Sequence, residues 1–285
     1  MRLAEFNWPG GSFLISYHII LLITLPIYLV NNAFPTALFL WTLLLAALCE
    51  LSVTSGYHRL YTHKTYKLNK IAEFILIAIG TLATQGSIIK WAHDHRLHHQ
   101  YVDTDKDPYS VKKGFWHAHF FWMMKKSKFN KHLVSDLFKN KLVKIQHDYY
   151  TLWLIIVNLL IIFIFGWYYQ NYFGAFVFIF LLRTFIIHHI TWSVNSASHT
   201  FGSQPYSTAS TATDSTLSAL FTFGEEYHNF HHTFPDDYRN GYKTWQYDPT
   251  KWTIWLLNKT GLAHALQRTR EEAVQNAIEF TKKKI

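Results

Sequence analysis

The sequence predicts an all-α protein: an integral membrane four-helix bundle, built as two helical hairpins and carrying a cytosolic helical cap. Three observations predict it. Four apolar runs are each long enough, at about twenty residues, to cross ~30 Å of hydrocarbon as a helix. The runs come in two close pairs, and each pair is joined by a few residues that lack Lys and Arg. The basic residues are gathered elsewhere: 16 of the 27 fall between Ser55 and Tyr150, and nine more follow Trp192.

The first run covers residues 12–30 and the second 36–54, separated by "NNAFP". Pro26 lies inside the first, where a membrane helix tolerates it. The third covers residues 152–168 and the fourth 173–192, joined by "YQNYFG". No small-residue cleavage site follows the first run, so it reads as a span rather than a leader. The positive-inside rule places both termini and the central segment in the cytosol. Residues 55–150 and 193–285 then form the cap of a single membrane domain, in a bacterial inner membrane or an ER membrane depending on the host. Residues 71–89 are apolar but hold Glu73, Thr81, Thr84, Gln85 and Ser87. They read as a buried or interfacial helix rather than a fifth span.

Composition agrees. Aromatics reach 18%, while charged residues make up 16%, below the roughly 25% usual in soluble domains. The mean hydropathy of 0.00 hides a segregation into apolar runs and polar, Lys-rich and His-rich stretches. A net charge of +9 beside such runs points to anionic lipid or phosphate-bearing substrates and away from nucleic acid. The single cysteine, Cys49, excludes a disulfide framework and reads as a small buried hydrophobe.

Nine of the 18 histidines fall into four short motifs. His58 and His63 frame "HRLYTH"; His95, His98 and His99 make "HRLHH"; His199 ends "NSASH"; His228, His231 and His232 make "HNFHH". Residues three and four apart share one helix face, so each H-x2-H-H triplet projects together. His58 and His63 begin where the second span should leave the membrane and His199 lies just beyond the fourth, so every cluster is expected at the cytosolic mouth of the bundle. At the chain's own histidine frequency, H-x2-H-H is expected roughly 0.07 times by chance, yet it occurs twice. Nine imidazoles exceed what one ion takes, so the set implies two metals. Nitrogen donors suit Fe, Zn, Cu or Ni. A centre facing a hydrocarbon-lined interior suggests oxidation of an unactivated C–H bond, which needs a redox metal and O2; zinc has no redox chemistry.

The ordered boxes in "SGYHRLYTH", "KWAHDHRLHH" and "EEYHNFHH", together with "TWSVNSASHTFG", resemble the membrane fatty-acid desaturases, in particular the acyl-CoA Δ9 (stearoyl-CoA) type and its bacterial relatives. The resemblance runs from the first span to about Trp245. It implies two Fe2+ ions, one held by His58, His63, His95, His99 and His231, the other by His98, His199, His228 and His232, with Asn195 reaching the second through water. It further implies O2-dependent formation of a cis double bond between carbons 9 and 10 of a saturated acyl chain. Electrons would come from a separate donor, such as cytochrome b5, ferredoxin or rubredoxin with its reductase. A di-iron hydroxylase of alkanes or lipids is the alternative, but "NSASH" and the single H-x4-H favour desaturation. A non-catalytic metal transporter would place its ligands near the bilayer midplane.

Other residues carry weaker signals. Lys125 and Lys126 match a basic pair that meets the CoA phosphates in the family, and also suit a membrane-surface charge run. Asp94 and Arg96 flank His95 and are expected to orient the histidines or to serve the substrate headgroup. Thr191 and Trp192 resemble residues beside the thioester. His93 and Gly86 replace the Arg and Asn of animal acyl-CoA enzymes, so acyl-CoA is favoured as substrate while an acyl-lipid or acyl-carrier-protein substrate stays open. Ala46 and Thr42 lie on the His58 side of the second span, where small residues would leave room for the acyl tail. Glu50 and Arg183 fall inside predicted spans, where ionisable groups are usually partnered. His188 and His189 read as interfacial residues rather than ligands.

Overall fold

The structure, a computed structural model, describes residues 3–284. Four helices are long and apolar enough to cross a membrane: α1 (Trp8–Asn31), α2 (Thr36–Thr62), α7 (Tyr150–Tyr168) and α8 (Tyr172–His199). Between and beyond them lie α3 (Lys70–Leu82), α4 (Ile88–Tyr101), α5 (Phe115–His119), α6 (Lys141–Asp148), α9 (His228–Thr233), α10 (Pro249–Lys259) and α11 (Glu271–Lys284).

The bundle is organised around α8, which packs on α1, α2 and α7. Its sequence explains this place. Of its most apolar window 56% is buried, against 11% in α7, whose Leu and Ile residues face outward as a lipid-exposed helix should. The two short connections meet at one end of the bundle. There Trp41 donates to the Tyr169 hydroxyl (2.9 Å) and Asn171 to the Tyr28 hydroxyl (2.6 Å). All nine box histidines lie at the other end.

Two of the predicted boundaries are too short. The second span does not stop at residue 54. It continues to Thr62 in a π-helical register from Val53. The fourth does not stop at residue 192 but runs on to His199. Cap groups make these extensions possible by meeting their polar side chains and backbone: Thr54 shares a hydrogen bond with Thr250 (2.8 Å), and Tyr66 donates to the Ser55 carbonyl (2.9 Å).

The cap follows local rules. Asn69, Ser87 and Asp248 cap α3, α4 and α10 by accepting from the backbone N–H group three residues on, and Pro249 opens α10. One departure from all-α is small: Lys67–Leu68 (β1) pairs antiparallel with Ala263–His264 (β2), tying the two halves of the cap together. The α3 helix, at 13 residues, is too short to span. Ile71, Phe74 and Ile75 are exposed on one side of it. On the other side, buried Glu73 accepts from Tyr61 (3.2 Å), Lys70 (2.7 Å) and Asn140. That is the profile of an interfacial helix.

Inside the bundle, Arg183 and Glu50 do not pair. Arg183 donates to Asn158 on α7 (2.5 Å) and to the Leu82 carbonyl (3.0 Å), whereas Glu50 accepts from Thr191 (3.1 Å). His188 and His189 are not among the clustered donors and are taken up by hydrogen bonds to neighbouring side chains. Buried His188 lies between the Tyr17 hydroxyl (2.9 Å) and Thr84 (2.8 Å), and His189 joins His18 (3.1 Å) to His119 (3.0 Å). A polar side chain in a span finds another polar side chain in preference to lipid.

Candidate metal centre

The spacing H-x4-H has a local cause. His58 and His63 are five residues apart, which on an α-helix would turn them to different faces. Here α2 ends in a π-helix, whose hydrogen bonds run from i+5 back to i, and the His63 N–H donates to the His58 carbonyl at 3.1 Å. The two rings therefore face each other, centroids 4.8 Å apart. On α4 the α-helical register brings His95, His98 and His99 to one side. Asp214 fixes the start of α9 by accepting from the N–H groups of Asn229 (2.7 Å) and Phe230 (3.1 Å), which aims His228, His231 and His232 inward.

The imidazoles gather into two groups. In one, the Nε2 atoms of His58 and His231 are 3.1 Å apart, those of His231 and His99 2.9 Å, and those of His99 and His95 3.0 Å. The His63 ring lies 4.6–5.1 Å from the same four rings. In the other, Nε2 of His232 lies 3.3 Å from His98 and 3.1 Å from His228. The His199 ring is 4.9–5.1 Å from those three. Within each of two quartets, His58, His63, His95, His231 and His98, His199, His228, His232, the donor atoms all lie within 4.8 Å of one another. His99 and His232 stack face to face at 4.3 Å and join the groups.

The outer nitrogens decide what this arrangement can do. Nδ1 of His58 meets the Glu225 carboxylate at 2.6 Å, and Nδ1 of His98 meets Asp107 at 2.9 Å. Nδ1 of His199 lies 2.8 Å from Thr211 Oγ1, whose own proton goes to Asp103 at 2.7 Å. Each of these Nδ1 atoms must donate, so each Nε2 presents a lone pair inward. His95 Nδ1 is 3.0 Å from the Tyr109 hydroxyl. Sharing protons among the rings does not satisfy the set, because Nε2 of His63 and of His199 are buried without any partner. A cation within each group would serve all of these donors at once. The residues present therefore fit two metal ions held by neutral imidazoles.

Electrostatics keep the rings neutral. Burial, reinforced by the neighbouring histidines, holds His95, His98, His99, His231 and His232 well below the usual imidazole range. Burial by itself would raise the Glu225 carboxyl, but His58 and Arg59 outweigh it and hold it at about 2. Arg59 is buried and grips Glu225 (2.7 Å), both oxygens of Asp248 (3.1 and 3.0 Å) and the Tyr238 carbonyl (2.9 Å).

A cavity of about 30 Å³ lies beside the histidines, walled by residues of α2 and α8. Asn195 lines it with His58, His95 and His228, and Thr191 and Glu50 line it too. Trp192 does not line it and packs on His188 and His189 instead. Ala46 and Thr42 lie deeper than the cavity reaches. Ala46 is buried in helix packing, and the Thr42 hydroxyl returns to the Leu38 carbonyl at 2.8 Å.

Asp94 and Arg96 do not orient any box histidine. Asp94 meets Lys90 and His93, while Arg96 pairs with Asp136 and the Tyr61 and Thr62 carbonyls. On a helix the neighbours of His95 point ~100° away from it. Lys125 and Lys126 are exposed beside the N-terminal segment, where Lys126 donates to the Ala4 carbonyl at 3.0 Å. The orienting groups Glu225, Asp107, Tyr109, Thr211 and Asp103 were not singled out from the sequence; a charged Arg59 beside His58 was the one local sign of a buried ionic partner.

Residues 35–261 match the family model for fatty acid desaturases. The chain is 39% identical over 280 residues to a protein of Schizosaccharomyces pombe named as an acyl-CoA desaturase, covering 94% of this chain and 58% of that one. It is 36% identical to acyl-CoA desaturase 1 of Saccharomyces cerevisiae, covering 84% and 48%. It is 33% identical to the sn-1 stearoyl-lipid 9-desaturase of Anabaena variabilis, covering 91% and 93%. The chain thus spans about half the length of the first two relatives and nearly all of the third.

Proposed function

The chain belongs to the fatty acid desaturase family, and from that premise we propose that it introduces a cis double bond at carbons 9 and 10 of a saturated acyl chain. The overall change is R–CH2–CH2–R′ + O2 + 2e− + 2H+ → R–CH=CH–R′ + 2H2O. Two irons supply the redox chemistry with O2 when bound. His58, His63, His95, His99 and His231 would hold one, and His98, His199, His228 and His232 the other, with Asn195 acting through water.

The observation that carries this reading is the joining of two structures at one place. A buried cluster of inward lone pairs adjoins a cavity whose walls are shared by α2 and α8. That space holds about two water molecules, so an acyl chain reaching the metals here has to displace side chains along the α2 and α8 walls. The chain's own residues do the rest. Glu225, Asp107 and Thr211 fix the ligand tautomers. The substrate is a fatty acyl thioester, with CoA favoured, or an acyl lipid. The electron donor is a separate protein, and the histidine mouth faces the cytosol, a reading supported by the distribution of Lys and Arg.

The test is gas chromatography of total fatty acids from a host that lacks Δ9 desaturation and expresses this chain. The expected result is cis-9 hexadecenoate or octadecenoate. Hydroxylated chains in their place would establish the hydroxylase alternative. An unchanged profile from a chain carrying two irons and supplied with a donor would refute the proposal.

A further inference from the structure

The outer face of α10 is apolar where a helix facing water would be polar. Trp252, Trp255 and Leu256, three and four positions apart on one side, are 44%, 46% and 57% exposed. The inner side carries the polar contacts instead. Thr250 donates to the Phe223 carbonyl (3.2 Å), and the buried Lys251 amine donates to the Gly241, Lys243 and Gln246 carbonyls at 2.6–2.9 Å. Three observations put the outer face level with the membrane surface. First, α10 packs on α2 through the Thr54–Thr250 bond, and Thr54 is where the second apolar run ends. Second, the β1–β2 pair fastens the end of α10 to the start of α3, and the N–H of the α3 cap Asn69 donates to the Leu262 carbonyl at 2.9 Å. The exposed Ile71, Phe74 and Ile75 of α3 already mark that helix as interfacial. Third, residues 216–223 run up to the start of α10 at the Phe223–Thr250 contact, and they also turn Leu217, Leu220 and Phe221 outward. At the last turn of α10 the Lys259 ammonium stands 5.7 Å from the Trp255 ring centre, a neighbouring of ring and cation that suits a lipid–water boundary.

We propose that the outer face of α10, together with Leu217, Leu220 and Phe221, is a docking surface for the bilayer itself. Its partner is the boundary between headgroups and acyl chains in the leaflet on the histidine side. The two interfacial helices, α3 and α10, then flank α2 where it leaves the hydrocarbon, and β1–β2 holds them at one level. Lipid is the occupant because the face continues the lipid-facing surface of the spans: Leu43, Leu44 and Leu48 are exposed on α2, against which α10 packs. Exposed apolar surface on this scale marks a protein or membrane contact, and sinking an apolar face into the boundary is what fixes an amphipathic helix there. The inference goes beyond the desaturase reading and stands without it, since it needs neither metals nor turnover.

The test uses the unmodified full chain in phosphatidylcholine vesicles doped with a phosphatidylcholine that carries a photoactivatable diazirine in its acyl chain. After irradiation and removal of lipid, trypsin cuts behind Lys251 and Lys259 and frees the outer face of α10 as the peptide Trp252–Lys259. Cuts behind Arg270 and Lys282 free Glu271–Lys282 of α11, whose exposed residues include Glu271, Glu272, Gln275 and Glu279. Lipid adducts should be severalfold more frequent on the first peptide than on the second. Background labelling of both peptides, with the spans labelled, overturns the proposal. An unlabelled first peptide in protein that sediments as a dimer also overturns it and gives the face to a second copy. The neighbouring edge is read separately in a Cys49→Ala background carrying Leu217→Cys or Glu272→Cys, each labelled with an environment-sensitive fluorophore. Leu217 is 72% exposed, so the label there displaces no packing. A nitroxide-bearing lipid should quench the label at position 217 and aqueous iodide should not, with the reverse at position 272. Iodide quenching at 217 as strong as that at 272 overturns the proposal. Failure to form an unsaturated product would refute the desaturase reading and leave both of these results unchanged.

Discussion

Replacing Glu225 by Gln should weaken one metal of the pair and spare the other. The carboxylate joins His58 Nδ1 at 2.6 Å to Arg59 at 2.7 Å, and its second oxygen also accepts from Asn240 at 3.0 Å. Glutamine keeps the shape and removes the charge. Breaking a buried ion pair costs about 3–5 kcal/mol when the partner is stranded. Arg59 is not stranded, because Asp248 and the Tyr238 carbonyl remain, so the lower end of that range applies to stability. At the metal, loss of a carboxylate behind a ligating imidazole weakens affinity about 10–100-fold. Dialysis against graded chelator followed by elemental analysis would read this directly. Half of the metal should leave at a chelator concentration 10–100-fold lower than in wild type, and the other half at the wild-type point. Asp107→Asn, which stands behind His98 in the other group, should do the same to the other ion. Joint release of both ions at the wild-type chelator concentration, from either variant, would refute the division into two groups with separate supports.

Three further outcomes are expected. His98→Ala and His231→Ala should abolish product, whereas exposed His264→Ala on β2 should keep it; a fully active His98→Ala protein would remove the dinuclear assignment. Asn195→Ala should retain both metals and lose turnover, since Asn195 lines the cavity without being one of the clustered donors; loss of one metal would make it a direct ligand. Melting temperature and metal content should both fall as pH drops below 6.5, the ordinary imidazole value. Burial and neighbouring histidines depress His95, His98, His99, His228, His231 and His232 in the folded protein. The unfolded chain therefore takes up protons first, so their contribution is complete above pH ~6.5 and is lost progressively below it. A melting temperature flat between pH 7 and 5 would contradict this.

The parts of this architecture legible in the sequence are those governed by short-range periodicity. Twenty-residue apolar runs give the spans, and i, i+3, i+4 spacing gives the triplets at His95 and His228. The parts not legible depend on contacts across the fold. Glu225 reaches His58 from 167 positions away, and Asp103 reaches His199 through Thr211; no spacing rule connects them. Adjacency misleads for the opposite reason. Asp94 and Arg96 touch His95 in sequence, yet the helix turns them to other faces, where Lys90 and Asp136 occupy them.

The π-helical end of α2 and the extension of α8 have a joint consequence. Each helix carries cavity wall and metal donor on one continuous backbone: Glu50, Val53, Thr54 and His58 on α2, and Thr191, Val194, Asn195 and His199 on α8. No loop intervenes where flexibility could separate the acyl chain from the metals. Position along either helix therefore converts to distance from the centre, at about 1.5 Å per residue in the α-helical part. A wall residue three or four positions from a clustered histidine then lies about one helical turn from the centre. The two halves of the cap, tied by the β1–β2 pair and by the Arg59 network, supply the remaining histidines of both groups.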